Sequence, residues 1–188
     1  VQPRGKQVRE PRTIWYTPTT GIWQTVWLEP VAASHLRTLR ITPDVDGSSV
    51  LVQANAVNTG GKPAFKVAVL DGSTVVREAN VDTMISTRSM PPQVAPSLRV
   101  PVPEAKLWSP DSPFLYGLRI TLLEDGKAVD EVSSYFGMRK IAVGKDEHGI
   151  LRLMLNNQPL FHFGPLDQGF WPDGLYTAPS DDALRYDI

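Results

Sequence analysis

The chain has 188 residues, of which 41% are hydrophobic and 21% charged, a composition typical of a folded globular protein that excludes a disordered one. Nineteen basic and 20 acidic residues give a formal net charge of -1, so the basic excess that nucleic-acid binding requires is absent. No run of about 18 apolar residues predicts a membrane-spanning helix. The absence of cysteine excludes disulfides, thiolate metal sites and a cysteine nucleophile, and it leaves the cellular compartment open.

The first predicted element lies in residues 12–31, RTIWYTPTTGIWQTVWLEPV, which hold three of the five tryptophans. This segment ends in a predicted strand from Trp23 to Leu28. A single strand cannot bury itself, so it is predicted to be an orphan strand from the edge of another sheet. Trp15, Trp23 and Trp27 could form a carbohydrate-stacking platform, but burial against neighbouring domains is the interpretation we favour.

Short alternating strands follow from about His35 to Ala142. Apolar side chains recur at every second position in runs at 39–41, 50–56, 65–69, 118–122 and 132–136, with shorter candidates at 74–80 and 97–102. About seven strands of this length predict an all-β fold, an immunoglobulin-like sandwich of two sheets. The 17 prolines lie mostly between the apolar runs, which suits strand edges and loops and argues against long helices.

Turn residues support the strand count. Asp125-Gly126 separates two apolar runs at the two-residue spacing of a type I′ hairpin. Asp71-Gly72 predicts a second turn of similar chemistry, and residues 58–61, Asn-Thr-Gly-Gly, predict a third.

The last part of the chain has a different character. Residues from Ile150 to Phe163 predict two strands around an Asn156-Asn157 turn, and an irregular aromatic loop, GPLDQGFWPDGLYTAP, follows. Ser180 then predicts a helix N-cap, with Asp181 and Asp182 in the first turn, where the helix macrodipole favours acidic residues.

Three segments of the sequence resemble the family 2 glycoside hydrolases, in the order found in that family. GIWQTVWLEPV (21–31) is similar to the end of the family's sugar-binding jelly roll. KLWSPDSPFLYGLRITL (106–122) with SYFGMRKI (134–141) resembles the second half of its immunoglobulin-like middle domain. LNNQPLFHFGPLDQGFWPDGLYTAPSDDALRYDI (155–188) resembles the opening of its catalytic (β/α)8 barrel. The resemblance therefore predicts three parts: residues 1–32 from the jelly roll, 33–144 as the sandwich, and 145–188 as a truncated start of the barrel.

The resemblance implies retaining hydrolysis by two glutamates, one acting as acid/base and one as nucleophile. In the family the acid/base follows an asparagine deep in the barrel. This sequence has no Asn-Glu dipeptide, and no glutamate follows Glu147. The chain is therefore expected to be inactive alone, with no catalytic residue of its own and no cofactor, and the hydrolysis of O-glycosidic bonds is expected of a longer parent enzyme.

The loop from Asp167 to Tyr176 is the best candidate for substrate contact in such a parent, because it would leave the first barrel strand at its C-terminal end. Trp171 and Tyr176 could stack on sugar rings, and Asp167, Gln168 and Asp173 could hydrogen-bond to hydroxyl groups. The alternative is that these side chains only fold the loop onto the barrel rim.

Metal binding is not predicted. Residues 44–47, Asp-Val-Asp-Gly, have a weak likeness to a calcium loop but lack its further ligands, so a plain turn is expected. The three histidines, His35, His148 and His162, are scattered in the sequence, and His162 alternates with two phenylalanines in the predicted barrel strand.

The predicted role is a non-catalytic sandwich between the jelly roll and the barrel of a carbohydrate-cleaving enzyme, whose compartment could be periplasmic or secreted. The alternative is an autonomous carbohydrate-binding module with an aromatic platform. An adhesion-type immunoglobulin domain is disfavoured by the barrel-like tail. Because both ends are rich in apolar residues, we expect them to pack on the sandwich, on each other, or on a second copy through self-association.

Overall fold

The computed structural model describes residues 5–57, 60–82 and 93–188. In this part of the chain the elements are β1 (His35–Asp44), β2 (Ser49–Val57), β3 (Pro63–Asp71), β4 (Thr74–Asp82), β5 (Gln93–Val94), β6 (Ser97–Pro101), β7 (Tyr116–Glu124), β8 (Lys127–Phe136), β9 (Ile141–Lys145), β10 (Leu151–Leu155), β11 (Gln158–Pro159) and α1 (Asp181–Asp187). The predicted dominance of strands is confirmed. No described helix has the length and apolarity that crossing a membrane would require.

Two antiparallel sheets form the sandwich. One contains β1, β2 and β5 in that order, with β6 also paired to β2, and the other has the order β4–β3–β7–β8. The long central pair of the second sheet runs from Pro63 opposite Glu124 to Leu70 opposite Gly117. The immunoglobulin-like sandwich predicted from the alternating pattern is confirmed.

The core lies between the two sheets because alternate side chains of each strand face inward. The core residues of β3 and β7 are each at most 2% exposed: Phe65, Val67, Val69, Leu118, Ile120 and Leu122. The other sheet contributes side chains from β2 and β6: Val50, Val52, Ala54, Ala56 and Val100. Each large side chain buried in this way contributes about 1.5–3 kcal/mol of transfer free energy.

The hairpin turns follow the backbone requirements of their residues. Asp125 and Gly126 have φ values of 49° and 79°, which confirms the predicted turn with two left-handed positions. The turn predicted at Asp71-Gly72 lies one residue later, at Gly72 and Ser73, because Asp71 still pairs with Thr74. Gly72, with φ of 59°, thereby occupies the first central position, where a type II′ turn needs glycine. Of the third predicted turn, residues 58 and 59 lie outside the described residues.

A small third sheet has the order β11–β10–β9. The strand predicted before Asn156-Asn157 is confirmed as β10, whereas the strand predicted after it, up to Phe163, is limited to the two residues of β11. The two asparagines of the turn have φ values of 51° and 67°. Asp146 shapes the turn between β9 and β10 by accepting bonds from the backbone N–H groups of His148 (3.0 Å) and Ile150 (2.9 Å). The bond from Ile150, more than that from the Arg152 side chain, lowers the pKa of the Asp146 carboxyl.

The structure divides into two compact units. Residues from Pro30 to His162 form one, which contains the sandwich and the small sheet, and residues up to Glu29 with those from Phe163 onward form the other. The strand predicted at Trp23–Leu28 is wrong, because that segment finds no strand to pair with and has no regular structure. The predicted first barrel strand around His162 is likewise without strand structure, so the barrel start stays a prediction.

The predicted helix start is confirmed. Ser180 is the N-cap of α1, and its hydroxyl accepts a hydrogen bond of 3.1 Å from the Ala183 N–H, while Asp181 and Asp182 lie in the first turn. None of the helix residues is buried, so local capping contributes more than packing to this element.

Candidate functional site

The predicted substrate loop, residues 167–176, lies in the unit formed by the two end segments. Asp167 is exposed, and its Oδ1 accepts a bond of 2.7 Å from the Gly169 N–H. Trp171 and Leu175 exchange two backbone hydrogen bonds of 2.6 and 3.1 Å, which close a tight loop with exposed Asp173 near its tip. The loop therefore presents two carboxylates to solvent on a backbone fixed by short-range hydrogen bonds.

Four rings in this unit form an aromatic cluster of Tyr16, Trp23, Phe170 and Tyr176. Tyr16 stacks on Phe170 with ring centroids 4.5 Å apart and an interplanar angle of 19°. Tyr176 meets Phe170 edge-on at 5.4 Å and Trp23 at 5.9 Å. The rings join the first and last segments of the chain, so the two ends contact each other, which is one of the three arrangements expected from their apolar composition.

The five sequence-predicted site residues have different surroundings. Tyr176 packs in the aromatic cluster, and Gln168 accepts a hydrogen bond from the Tyr16 hydroxyl through its Oε1. Trp171 is half-buried, whereas Asp167 and Asp173 are exposed. Within the described part of the chain, no hydrogen bond or ring contact joins two of the five to each other. The arrangement can offer hydrogen-bond acceptors and one half-exposed indole to a polyhydroxylated ligand.

The sequence alone does not single out Tyr16 and Phe170, although the structure makes them the best-stacked pair of the unit. Both stand in segments recognised as aromatic, but their contact joins opposite ends of the chain, and no local pattern indicates it. Trp15, Trp23 and Trp27 are 44%, 57% and 72% exposed, and their burial against neighbouring domains stays a prediction.

Trp108 packs against residues next to the end of β8. It is half-buried, the Arg139 guanidinium lies 4.8 Å from its ring, and its backbone N–H donates a bond of 3.0 Å to the Met138 carbonyl. A Cβ atom at Gly137 would lie 3.1 Å from the Trp108 Cβ, so glycine permits this close approach.

The turn at residues 44–47 joins β1 to β2 as a plain hairpin turn. Asp44 accepts a bond of 2.9 Å from the Gly47 N–H and pairs with Arg99 at 2.8 Å. Asp46 pairs with Lys140. Both carboxylates beside this cleft of about 380 Å³ are thus neutralised by cations. Among the described residues no group of three or more His, Cys, Asp or Glu side chains could hold a metal ion.

Comparison with known proteins identifies relatives of the sandwich. The sequence profile of "Glycosyl hydrolases family 2" matches residues 34–139. A Formosa agariphila protein named for an inferred β-glucuronidase activity is 31% identical over 71% of this chain and 13% of its own length. A β-galactosidase of Pseudoalteromonas haloplanktis is 26% identical over 94% of this chain and 17% of its own length. The chain thus spans less than a fifth of either relative.

Solved structures show the same architecture. A glycosyl hydrolase family 2 member from Bacteroides cellulosilyticus is 28% identical and has a TM-score of 0.61, covering 78% of this chain and 19% of that protein. The β-glucuronidase of Bacteroides uniformis has a TM-score of 0.68 over 84% of this chain and 20% of its own, and at 18% identity it shows the fold alone.

Proposed function

Because the chain belongs to glycosyl hydrolases family 2, we propose that its sandwich is a non-catalytic domain of a retaining glycoside hydrolase. The observation that supports this most directly is the position of the match, since residues 34–139 coincide with the two sheets and not with the loop at 167–176. The relatives are named as enzymes that act on β-glucuronides and β-galactosides. A β-glycoside is accordingly the substrate class that we propose for the complete enzyme.

The reaction itself is proposed to occur outside these residues. Retaining hydrolysis needs two carboxyl groups about 5–5.5 Å apart on either side of the glycosidic bond. Carboxylates of the sandwich instead form ion pairs, as Asp44 does with Arg99 and Asp71 with Lys106. The pKa of Lys106 is raised, mainly by its hydrogen bond to Asp71, which is the behaviour of a structural ion pair.

The substrate loop is proposed to contact carbohydrate in the complete enzyme through Asp167, Gln168, Trp171, Asp173 and Tyr176. Its exposed carboxylates suit sugar hydroxyl groups, and the half-buried Trp171 suits the apolar face of a sugar ring. The jelly-roll and barrel domains of the same polypeptide are the proposed partners of the sandwich.

An autonomous carbohydrate-binding module is the rival function. Such a module needs two or three coplanar exposed rings on one surface. In the described part of the sandwich, Tyr135 is the one large aromatic side chain that is exposed, with 68% of its surface accessible. The surface of the two sheets therefore favours an interdomain role over sugar binding.

Activity measurements test the proposal. The purified 188-residue chain should not hydrolyse 4-nitrophenyl β-D-glucuronide or β-D-galactoside above the buffer rate, whereas the complete polypeptide that contains it should hydrolyse at least one β-glycoside. Turnover by the isolated chain that persists through repurification would refute the non-catalytic role. Saturable sugar binding by calorimetry that a Trp171→Ala variant abolishes would favour the binding module.

The role of the loop is tested separately in the complete enzyme. Asp173→Asn and Trp171→Ala should raise KM for the β-glycoside, because both remove a proposed substrate contact. Asp182→Asn is the matched control, since Asp182 is an exposed acid that pairs with Arg185 on α1. Equal kinetic effects from the control and the loop variants would mean that the loop does not contact the substrate.

A further inference from the structure

The small sheet joins the end of the sandwich with little shared apolar core. Its buried apolar side chains are Met154 and Leu155, and neither belongs to the buried cluster between the two large sheets. Four others are 47% to 67% exposed: Ile141, Val143, Leu151 and Leu153. Apolar packing of these residues is therefore too sparse to fix the orientation of the small sheet.

Asn156 makes three hydrogen bonds from a half-buried position. Its backbone N–H donates to the Lys140 carbonyl (2.8 Å), and its Oδ1 accepts from the Lys140 backbone N–H (3.0 Å). Its Nδ2 donates to the Trp108 carbonyl (3.0 Å), which belongs to the loop between β6 and β7. The turn of the small sheet is thereby bound to one loop of the sandwich.

Asn157 reaches a second loop of the sandwich. Its Nδ2 donates to Asp46 Oδ1 (2.8 Å), in the turn between β1 and β2. The other carboxylate oxygen, Oδ2, accepts from the Lys140 ammonium group. Hydrogen bonds to ionised groups are about twice as strong as neutral ones, so this second contact adds substantially to the first.

The residue type at position 157 is informative. Both turn residues have positive φ, and a two-residue turn of this kind favours Asn followed by Gly, as the Asp125-Gly126 turn of this chain illustrates. Asparagine tolerates the left-handed region less readily than glycine. Glycine, however, has no side chain to reach Asp46. The contact made by the Asn157 side chain therefore accounts for a residue that turn geometry alone would not select.

We propose that the Asn156-Asn157 turn, with Asp46, Lys140 and the Trp108 carbonyl, forms a polar bridge that fixes the orientation of the small sheet against the sandwich. The bridge does so by joining one turn to two separate loops, which prevents rotation about either contact. The small sheet is then a rigid extension of the sandwich, in agreement with the compact unit from Pro30 to His162.

The Asn157→Gly variant tests the polar bridge without disturbing the turn. Glycine retains the left-handed backbone conformation, but it removes the side-chain hydrogen bond to Asp46. In the 188-residue chain, Asn157→Gly and Asp46→Ala should each speed amide exchange in residues 141–159 roughly tenfold, while exchange in β3 and β7 stays unchanged. The double variant should exchange no faster than Asp46→Ala alone, because Asp46→Ala already removes the bond from Asn157 together with the ion pair to Lys140. Residual dipolar couplings of the small sheet should cease to fit the alignment tensor of the sandwich.

The control is Asp82→Ala, which removes an exposed carboxylate 3.9 Å from Lys62 on the large sheet. It should change neither the exchange rates nor the couplings of residues 141–159. Unchanged or slower exchange in Asn157→Gly would overturn the proposal, because turn preference alone would then explain the position. Equal loss of protection in the small sheet and in β3 and β7 would also overturn it, since the bridge would then support the whole unit and not one orientation.

Discussion

Replacing Tyr116 by phenylalanine should destabilise the sandwich by about 1.5 kcal/mol, because one part-buried hydrogen bond is lost while the ring stays in place. Tyr116 is 4% exposed, and its hydroxyl accepts a bond of 2.9 Å from the Lys106 backbone N–H. The ring itself contacts Phe136 at 5.5 Å and Phe114 at 4.8 Å, and phenylalanine preserves both contacts. The expected cost is therefore that of an unpaired donor, with no cavity contribution.

Urea unfolding followed by far-UV circular dichroism measures this cost. With an m-value of about 1.5 kcal/mol per M, the midpoint should fall by about 1 M with m unchanged. Tyr135→Phe is the matched control, because Tyr135 lies on the neighbouring strand and is 68% exposed, and its midpoint should change little. If the two variants unfold at the same urea concentration, the hydroxyl of Tyr116 does not anchor the segment before β7, and the reasoning is wrong.

Two further outcomes are expected. The pKa of Asp46 is lowered in the folded protein, mainly by the hydrogen bond from Lys140. The ionised carboxylate therefore stabilises the fold at pH values above its ordinary pKa of 3.8. This stabilisation is lost as the pH falls through the lowered pKa of the folded state. Urea midpoints between pH 6 and pH 2 should accordingly converge for the wild-type chain and Asp46→Asn, and a constant difference would contradict this. Gly137→Ala should lower the free energy of unfolding by about 1–3 kcal/mol, because the new Cβ is forced against Trp108. Gly144→Ala is the control and should lower it less, because its Cβ meets only the flexible side chain of Met154. Equal thermal midpoints for the two variants would argue against the close approach of Gly137 to Trp108.

Local signals in the sequence were sufficient for the sandwich. Alternation of apolar residues is a direct consequence of a strand with one buried face, so β2, β3 and β7 could be predicted from it. The Asp125-Gly126 turn and the Ser180 cap depend only on residues next to them. The strand β9 was not predicted, since Gly144 interrupts its short apolar run.

Contacts between distant residues could not be predicted in this way. The Tyr16–Phe170 stack and the bond from Asn157 to Asp46 each join segments that no periodicity relates. The strand expected at Trp23–Leu28 failed for the converse reason, because a strand forms only where a partner accepts its hydrogen bonds. The candidate site in particular depends on such long-range contacts. Its loop could be predicted from the sequence, but the aromatic cluster that includes Tyr176 could not.

The β3–β7 pairing has a consequence for synthesis on the ribosome. The hairpins β3–β4 and β7–β8 each close through a two-residue turn, but the central pair must wait until all of β4, β5 and β6 has been made. At about 5–20 residues per second, the edge of β3 that pairs with β7 stays without its hydrogen-bonding partner for several seconds. A nascent chain in that interval presents an unpaired apolar edge, which makes a chaperone most valuable before Leu122 emerges from the exit tunnel.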